Sequence, residues 1–514
     1  MSFQIEHKVG KNIYIYEATS VWDPDKKQSR QKRVYIGVKD PKTGEIKNPV
    51  KNNTPKFCKD YGNIYFLGKI TDRCGVLKVL SESFPDEFRE ILALCYLDIC
   101  EETPHYIFPY WYELSHLQQT KSMSPKQITQ LMEVLGKNEE SREEFARQWI
   151  KSIDRPGNGL LFDITSISTY SHRLDIAEYG YNRDLETLPQ INIGVLYSQE
   201  KQIPLSYRVY QGSISDVATL RKEVEHIKEV GIRKSTLILD RGFYSLKNIQ
   251  DLVSAGLEFI IGMPMTTNLT KGIIEQMYEK LNLAENALLV EDSIIYGKME
   301  EVEIGEKKLD AFIYLDEKRR SLEMENLLRR VIEVEAKVAS SKLKHKAEFT
   351  EMLAGKWGNL ADMFTVSESD NHIIINRNNR NIEDKSKRFG IMVLLTNKKN
   401  QTISDILIAY RQRDYVEKFF DILKNETDGD RLRSHRKEMV EGRLFVKFIT
   451  AIIFSAIYSD MRISGLLKKY SVKELLYELK KLRLVTMSNN KNFITEISKK
   501  QRDIFNAFQL PLPL

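Results

Sequence analysis

The sequence predicts an α/β protein built on a mixed β-sheet with helices on its faces. Between residues 159 and 264, short apolar segments and amphipathic segments follow one another in the order β-β-β-α-β-α-β. The first three strands read as antiparallel, and the later ones need right-handed crossovers, so the sheet is mixed. After residue 388 a further apolar strand, FGIMVLLTN, leads through the polar loop NKKNQ into an amphipathic helix, SDILIAYRQRDYVEKFFDILK. With 514 residues, 42% apolar and 29% charged, the chain has ample core for two to four domains.

Taken in order, residues 1–60 read as twisted β structure. NIYIYEATSVWD and QKRVYIGVKD alternate apolar with polar residues and flank a charged turn at Pro24 to Arg30. Residues 61–153 turn helical, as in DEFREILALCYLDICEE and SPKQITQLMEVLG. In the second, Ser124 as N-cap, Pro125 in the first turn and Gly136 after the end predict a bounded helix. With EESREEFARQWI it makes a helix pair, which reads either as plain packing or as a DNA-reading unit. DRPGNG at Asp154 to Gly159 is a break.

GLLFDITSIS then predicts a strand ending in Asp163 and hydroxyl residues. INIGVLYS and IPLSYRVYQG predict a hairpin across the turn QEKQ. DVATLRKEVEHIKEV reads as a helix stopped by Gly231, and STLILD as an apolar strand with Asp240 at its end. RGFYS turns into the helix SLKNIQDLVSA, stopped by Gly256, and EFIIGMPM is a fifth strand. Residues 265–388 leave this order: β-like pieces flank a long charged helix from about Asp316 to Leu353, whose apolar spacing favours packing over a role in binding DNA or a partner.

The charge is uneven. The whole chain carries +6, yet residues 431–500 alone hold 16 Lys or Arg against 6 Asp or Glu. Such a segment suits a phosphate backbone or, equally, a solvated helical face. Cys58, Cys74, Cys95 and Cys100 show no CxxC pairing, which excludes the usual zinc and disulfide frameworks and fits a reducing cytoplasm. The amino terminus lacks the apolar stretch of a secretion signal. The apolar run LFVKFITAIIFSAIYS, interrupted by Lys447, reads as a buried core helix rather than a membrane span.

Three carboxylates invite a chemical reading. Asp163 and Asp240, at the ends of adjacent central strands, would approach each other and repel. A divalent cation removes that conflict, and Mg²⁺ with its preference for oxygen ligands suits the pair. On the helix from Ser404 to Lys424, with Ser404 as N-cap and Gly429 and Asp430 as the run-out, about 100° per residue sets Tyr410, Arg413, Glu417 and Lys424 in a stripe about 60° wide. Val416, Phe419 and Leu423 fall opposite, with Tyr415 and Ile422 nearby. Asp414 and Asp421 share roughly the face of Glu417, so spacing alone does not select among the three acids.

Tyr410, Arg413, Glu417 and Lys424 have the spacing Y-x2-R-x3-E-x6-K, and the chain resembles bacterial insertion-sequence transposases of the DDE type that carry this YREK signature. LLFDITS resembles the segment around their first catalytic Asp and LILDRGFYS that around their second. The similarity runs from about Gly159 to Leu423 and includes QGSISD and the interruption before the last helix.

The resemblance implies a ribonuclease-H-like catalytic core, its first part at 159–264 and its last at 389–430, with an insertion subdomain at 265–388 and helical flanks at 61–153 and 431–514. It singles out Glu417 and implies that Asp163, Asp240 and Glu417 hold two divalent cations, Mg²⁺ with Mn²⁺ as an alternative. It assigns Tyr410, Arg413 and Lys424 to the phosphates of the transposon end. The competing reading, an ion pair of Arg413 with Glu417, is worth only about 0.2–0.5 kcal/mol and leaves Tyr410 and Lys424 unexplained. Arg241 is a weaker phosphate candidate, with a structural ion pair as an equal reading. Trp357 in the insertion is a candidate for stacking a flipped base, against the plainer role of a core residue.

The implied activity is cut-and-paste transposition: metal-dependent cleavage at transposon ends and transfer of the 3′-hydroxyl into target DNA. The implied partners are double-stranded DNA, both terminal inverted repeats and target, and a second copy of the chain in a homodimer on DNA, with no membrane. The implied location is the bacterial cytoplasm, at the nucleoid. The rivals are a nuclease of the same fold that does not join strands and a catalytically silent DNA-binding derivative.

Overall fold

The computed structural model describes residues 2–23, 28–47, 54–101, 103–153, 159–171, 173–180, 187–229, 235–341, 343–354, 356–369, 372–426, 431–432 and 435–513. Of the turn expected at Pro24 to Arg30, residues 24–27 lie outside the described residues and 28–30 are strand; of the break expected at Asp154 to Gly159, residues 154–158 lie outside them and Gly159 opens a strand; the helix stop at Gly231 and the run-out at Gly429 and Asp430 also lie outside them.

Strands β1 (Ser2–Val9), β2 (Asn12–Asp23), β3 (Gln28–Lys39) and β4 (Ile46–Lys47) form an antiparallel sheet in that order, which buries Ile15 and Ala18. After β5 (Pro55–Asp60) come six helices, α1 (Gly62–Arg73), α2 (Val76–Ser83), α3 (Phe88–Cys100), α4 (Phe108–Leu114), α5 (Pro125–Lys137) and α6 (Glu139–Ser152). The predicted start of α5 is observed as a capping box: Ser124 Oγ accepts from Gln127 N–H, and the Gln127 side chain accepts from Ser124 N–H. Gly136 does not stop α5 but lies buried inside it, and Asn138 ends it.

The expected β-β-β-α-β-α-β order is observed as β6 (Gly159–Thr169), β7 (Gln190–Ser198), β8 (Ile203–Gln211), α7 (Asp216–Glu229), β9 (Thr236–Leu239), α8 (Leu246–Ser254) and β10 (Glu258–Gly262). Strand β9 pairs parallel with both β6 and β10, whereas β6, β7 and β8 are antiparallel. Every residue of β6 and β7 is buried, which explains their near-continuous apolar runs.

After α9 (Asn268–Leu281), strands β11 (Ala287–Val290), β12 (Ser293–Ile304) and β13 (Lys307–Asp316) extend the same sheet, because β13 pairs with β16 (Ile391–Thr396) and β16 pairs with β10. The order across the sheet is β11-β12-β13-β16-β10-β9-β6-β7-β8. The division expected at 264/265 thus runs through one continuous sheet. A second, smaller core is built by α10 (Glu317–Ala339), α11 (Lys346–Leu353), β14 (Phe364–Ser369), β15 (His372–Arg377) and α12 (Asn379–Ser386), around Leu327, Val331, Phe349, Leu360 and Ile373. The single helix expected over Asp316–Leu353 is therefore two. The hydroxyls of Ser340 and Ser341 bond back to the carbonyls of Lys337 and Val338 and compete with continued helix.

Helices α13 (Ile403–Arg411) and α14 (Asp414–Asp421) follow, then β17 (Arg431–Leu432), which pairs with the end of β6. Helix α15 (Lys437–Ile463) is long and apolar enough to cross a bilayer, but 72% of its apolar window is buried within the protein, against α3, α5 and β8. The expected buried core helix is what is found. A β-carbon at Gly136 would stand 1.8 Å from Glu438 O, and one at Gly442 would stand 2.1 Å from Met132 O, so two glycines let α5 and α15 meet backbone to backbone. Helix α16 (Val472–Lys480) packs on α1, β18 (Arg483–Met487) pairs with β5 and β19 (Asn492–Ile494), and α17 (Lys499–Ala507) packs on α16. The two helical flanks, remote in sequence, share one core.

Candidate active site

Strands β6 and β9 run parallel with Phe162 opposite Leu239, so the next residues, Asp163 and Asp240, arrive side by side. The strand does not end at Asp163, as the sequence suggested. It continues to Thr169 because its later residues still pair with β7. Asp163 is fully buried, and its Oδ1 accepts from the Ile164 N–H at 2.8 Å. Asp240 caps the short turn Arg241–Phe243, its Oδ1 accepting from Arg241 N–H at 2.7 Å. Two residues on, a β-carbon at Gly242 would stand 2.6 Å from Oδ2 of Asp216, the last residue of QGSISD, so that carboxylate comes close to the turn.

The third acid comes from the opposite direction. The stretch expected as one helix from Ser404 is divided. Thr402, not Ser404, caps α13, because Thr402 has the extended backbone a cap needs and its Oγ1 accepts from Asp405 N–H at 3.1 Å. At Gln412–Arg413 the backbone tightens to i→i+3 hydrogen bonds, with Arg413 N–H to Tyr410 O at 3.1 Å and Val416 N–H to Arg413 O at 3.0 Å. Helix α14 then buries Val416, Phe419 and Phe420 and passes into a π-helical turn, Ile422–Glu426.

One guanidinium joins the three acids. Arg413 Nη1 lies 3.1 Å from Asp240 Oδ1, and Nη2 lies 3.0 Å from Glu417 Oε1 and 3.7 Å from Asp163 Oδ2. The Tyr410 hydroxyl donates to Asp240 Oδ1 and accepts from Arg413 Nη1, both at 3.3 Å. Side-chain exposure grades from 0% at Asp163 through 12% at Arg413 and 24% at Asp240 to 58% at Glu417, so the site opens to solvent on the Glu417 side. Burial lifts the Glu417 carboxyl above its ordinary value, with Arg413 opposing. Burial also pushes the Tyr410 phenol up to about 12, so it remains a donor at neutral pH. Burial alone would lower Arg413, but the neighbouring acids, Asp240 foremost, hold it above its usual value.

The candidate residues separate accordingly. Asp163, Asp240, Glu417, Tyr410 and Arg413 are brought together. Asp414 lines an adjoining cavity of about 240 Å³ together with Asp316, Arg319, Tyr410 and Arg413, and Asp421 lines another cavity, with Lys418 and Tyr458. Lys424 lies half-buried in the π-helical turn. Arg241 has an exposed side chain and meets Asp240 through its backbone. Trp357 packs against the second core beneath the Lys356 ammonium.

Two glycines were missed by sequence reasoning. Gly242 carries the Asp216 carboxylate, and Gly262, at the end of β10, would place a β-carbon 2.6 Å from the Tyr410 hydroxyl. The available signal was a glycine closing an apolar strand beside the two aspartates.

The family model described as Transposase DDE domain matches residues 154–453, more than half of the chain. The chain belongs to this family. Its matched segment holds β6, β9, α13 and α14, and so every residue of the cluster around Arg413. No curated protein matches the chain in sequence. Among solved structures the chain is similar to piggyBac transposase in its cryo-EM synaptic complex with hairpin DNA, at 13% identity and TM-score 0.38, over 87% of this chain and 77% of that one.

DDE transposases are DNA cleaving and joining enzymes that generally use divalent metal ions, so the fit of the acids to such ions can be tested on charge. Three ionised carboxylates face one guanidinium, which leaves two negative charges for a divalent cation to offset. All six candidate donor atoms are hard carboxylate oxygens, as Mg²⁺ or Mn²⁺ requires. As the side chains stand, no three His, Cys, Asp or Glu among the described residues are grouped closely enough to hold a metal, and among these three acids lies Arg413.

Proposed function

We propose that the chain is the transposase of a bacterial insertion sequence, of the subgroup with the YREK signature, with a ribonuclease-H-like core that performs cut-and-paste transposition. The observation that carries this is the convergence of Asp163, Asp240 and Glu417, from three separate elements, on one guanidinium. Membership of the transposase DDE domain family supports it.

In this reading Asp163, Asp240 and Glu417 hold two divalent cations, Mg²⁺ or Mn²⁺. When bound, the cations activate a water or a DNA 3′-hydroxyl and stabilise the leaving oxygen. Tyr410 orients Asp240 through its hydroxyl. Arg413 offers a planar fork to the phosphate of the transposon end, Lys424 a point charge, and Arg241 a weaker contact. Trp357 is the candidate for stacking a flipped base. The basic surplus of residues 431–500 and the helices of 61–153 supply contacts to the terminal repeats or target. The enzyme acts as a homodimer on DNA, in the bacterial cytoplasm at the nucleoid.

A strand-transfer assay with the element's terminal repeats and Mg²⁺ tests the reading. Cleaved ends joined to target DNA are expected. Cleavage without joining would replace the transposase with a nuclease, and binding without cleavage would replace it with a silent DNA-binding derivative.

A further inference from the structure

Arg413 has two tasks that exclude each other in space. Its guanidinium lies within 3.0–3.7 Å of Glu417, Asp240 and Asp163, the three acids that would hold a divalent cation. The proposed function also gives that guanidinium to a DNA phosphate. We propose that in the free protein Arg413 stands in for the metal ions as counter-charge to the three acids, and that a DNA end, by drawing the guanidinium onto its phosphate, opens the acids to divalent cation. The inference rests on reading Asp163, Asp240 and Glu417 as metal ligands.

Three features support the exchange. A guanidinium cannot lose its proton, so it cannot make room by becoming neutral and must move. The cavity of about 240 Å³ beside it, lined by Tyr410, Asp414, Asp316, Arg319 and Arg411, gives the side chain room to leave without displacing the core, with the Asp414 carboxylate on its wall. The Tyr410 hydroxyl donates to Asp240 independently of Arg413, so Asp240 keeps an orienting partner while the guanidinium is away. Because DNA end and metal both favour the state in which the guanidinium has left the acids, each strengthens the other's binding by the same factor.

The exchange is tested by titrating the full-length protein with Mn²⁺ alone, followed by calorimetry or by the Mn²⁺ paramagnetic signal, with no activity measured. Arg413→Gln removes the charge and is expected to bind Mn²⁺ at least ~10-fold more tightly than the wild type without DNA. Arg413→Lys keeps a charge but not the fork and is expected to fall between them. A duplex carrying the element's end should tighten Mn²⁺ binding to the wild type and leave Arg413→Gln unchanged. Equal Mn²⁺ affinity in wild type and both variants, each folded by circular dichroism, overturns the exchange while leaving the metal site standing. Adding Asp163→Asn to each background separates the two ideas: if it changes Mn²⁺ binding in neither, the metal-site reading itself is overturned.

Discussion

A β-carbon on Gly262 would stand 2.6 Å from the Tyr410 hydroxyl, so the end of β10 is bare where the phenol crosses to Asp240. Gly262→Ala should push the ring tip away and break that hydrogen bond. A bond to a charged acceptor is worth about 1.5–3 kcal/mol, so cleavage should fall roughly 10- to 100-fold. Tyr410→Phe, which deletes the same hydroxyl, should reproduce the loss. Wild-type rates in both variants would take the phenol out of the reaction.

Asp163→Asn, Asp240→Asn and Glu417→Gln should each reduce strand cleavage by roughly 100-fold or more while binding of the DNA end, read by gel shift, survives. Substantial residual cleavage in any of the three would sink the metal assignment.

Lys424→Ala should weaken end binding and make its salt dependence shallower by about one unit of slope. A slope identical to that of the wild type would return Lys424 to the ordinary role of a solvated charge.

Glu223, fully enclosed on α7 and hydrogen-bonded by the Tyr210 hydroxyl at 3.3 Å, has its carboxyl pushed up to about 7, chiefly by burial and against Arg208. Between the ordinary value of 4.5 and about 7, the folded chain keeps a proton that the unfolded chain has released. Stability from this group is therefore present at low pH and is lost as pH rises through that window. Melting temperature should decline across it, and Glu223→Gln should flatten the decline. An unaltered pH profile in the variant would assign the slope elsewhere.

The contact between α5 and α15 should be intolerant of side chains. With the β-carbon of Gly136→Ala meeting Glu438 O and that of Gly442→Ala meeting Met132 O, each should cost about 1–3 kcal/mol by overpacking, seen as a lower melting temperature. Melting within a degree of the wild type would show that the helices can separate freely.

Much of the architecture was legible because it is written in local pattern. Apolar runs closed by Asp163 and Asp240 marked two strands whose acids would meet if the strands were neighbours, as they are, and Ser124 with Pro125 announced the start of α5. The sequence by itself also determined which side chains were available: two strand aspartates, and one acid, a phenol and two cations at the spacing of the YREK signature. It could not choose Glu417 over Asp414 and Asp421 by geometry, because residues three, four and seven apart share one helical face.

The family signature makes that choice; the tertiary structure sets Glu417 3.0 Å from Arg413, with Asp414 on a cavity that Tyr410 and Arg413 also line and Asp421 on another beside Lys418. Only the folded chain shows Arg413 among the acids, Gly262 beneath Tyr410, β11 to β13 as part of the main sheet and the two helical flanks as one core. Each of these joins segments far apart in sequence, and such contacts are decided by packing between surfaces that no local periodicity encodes.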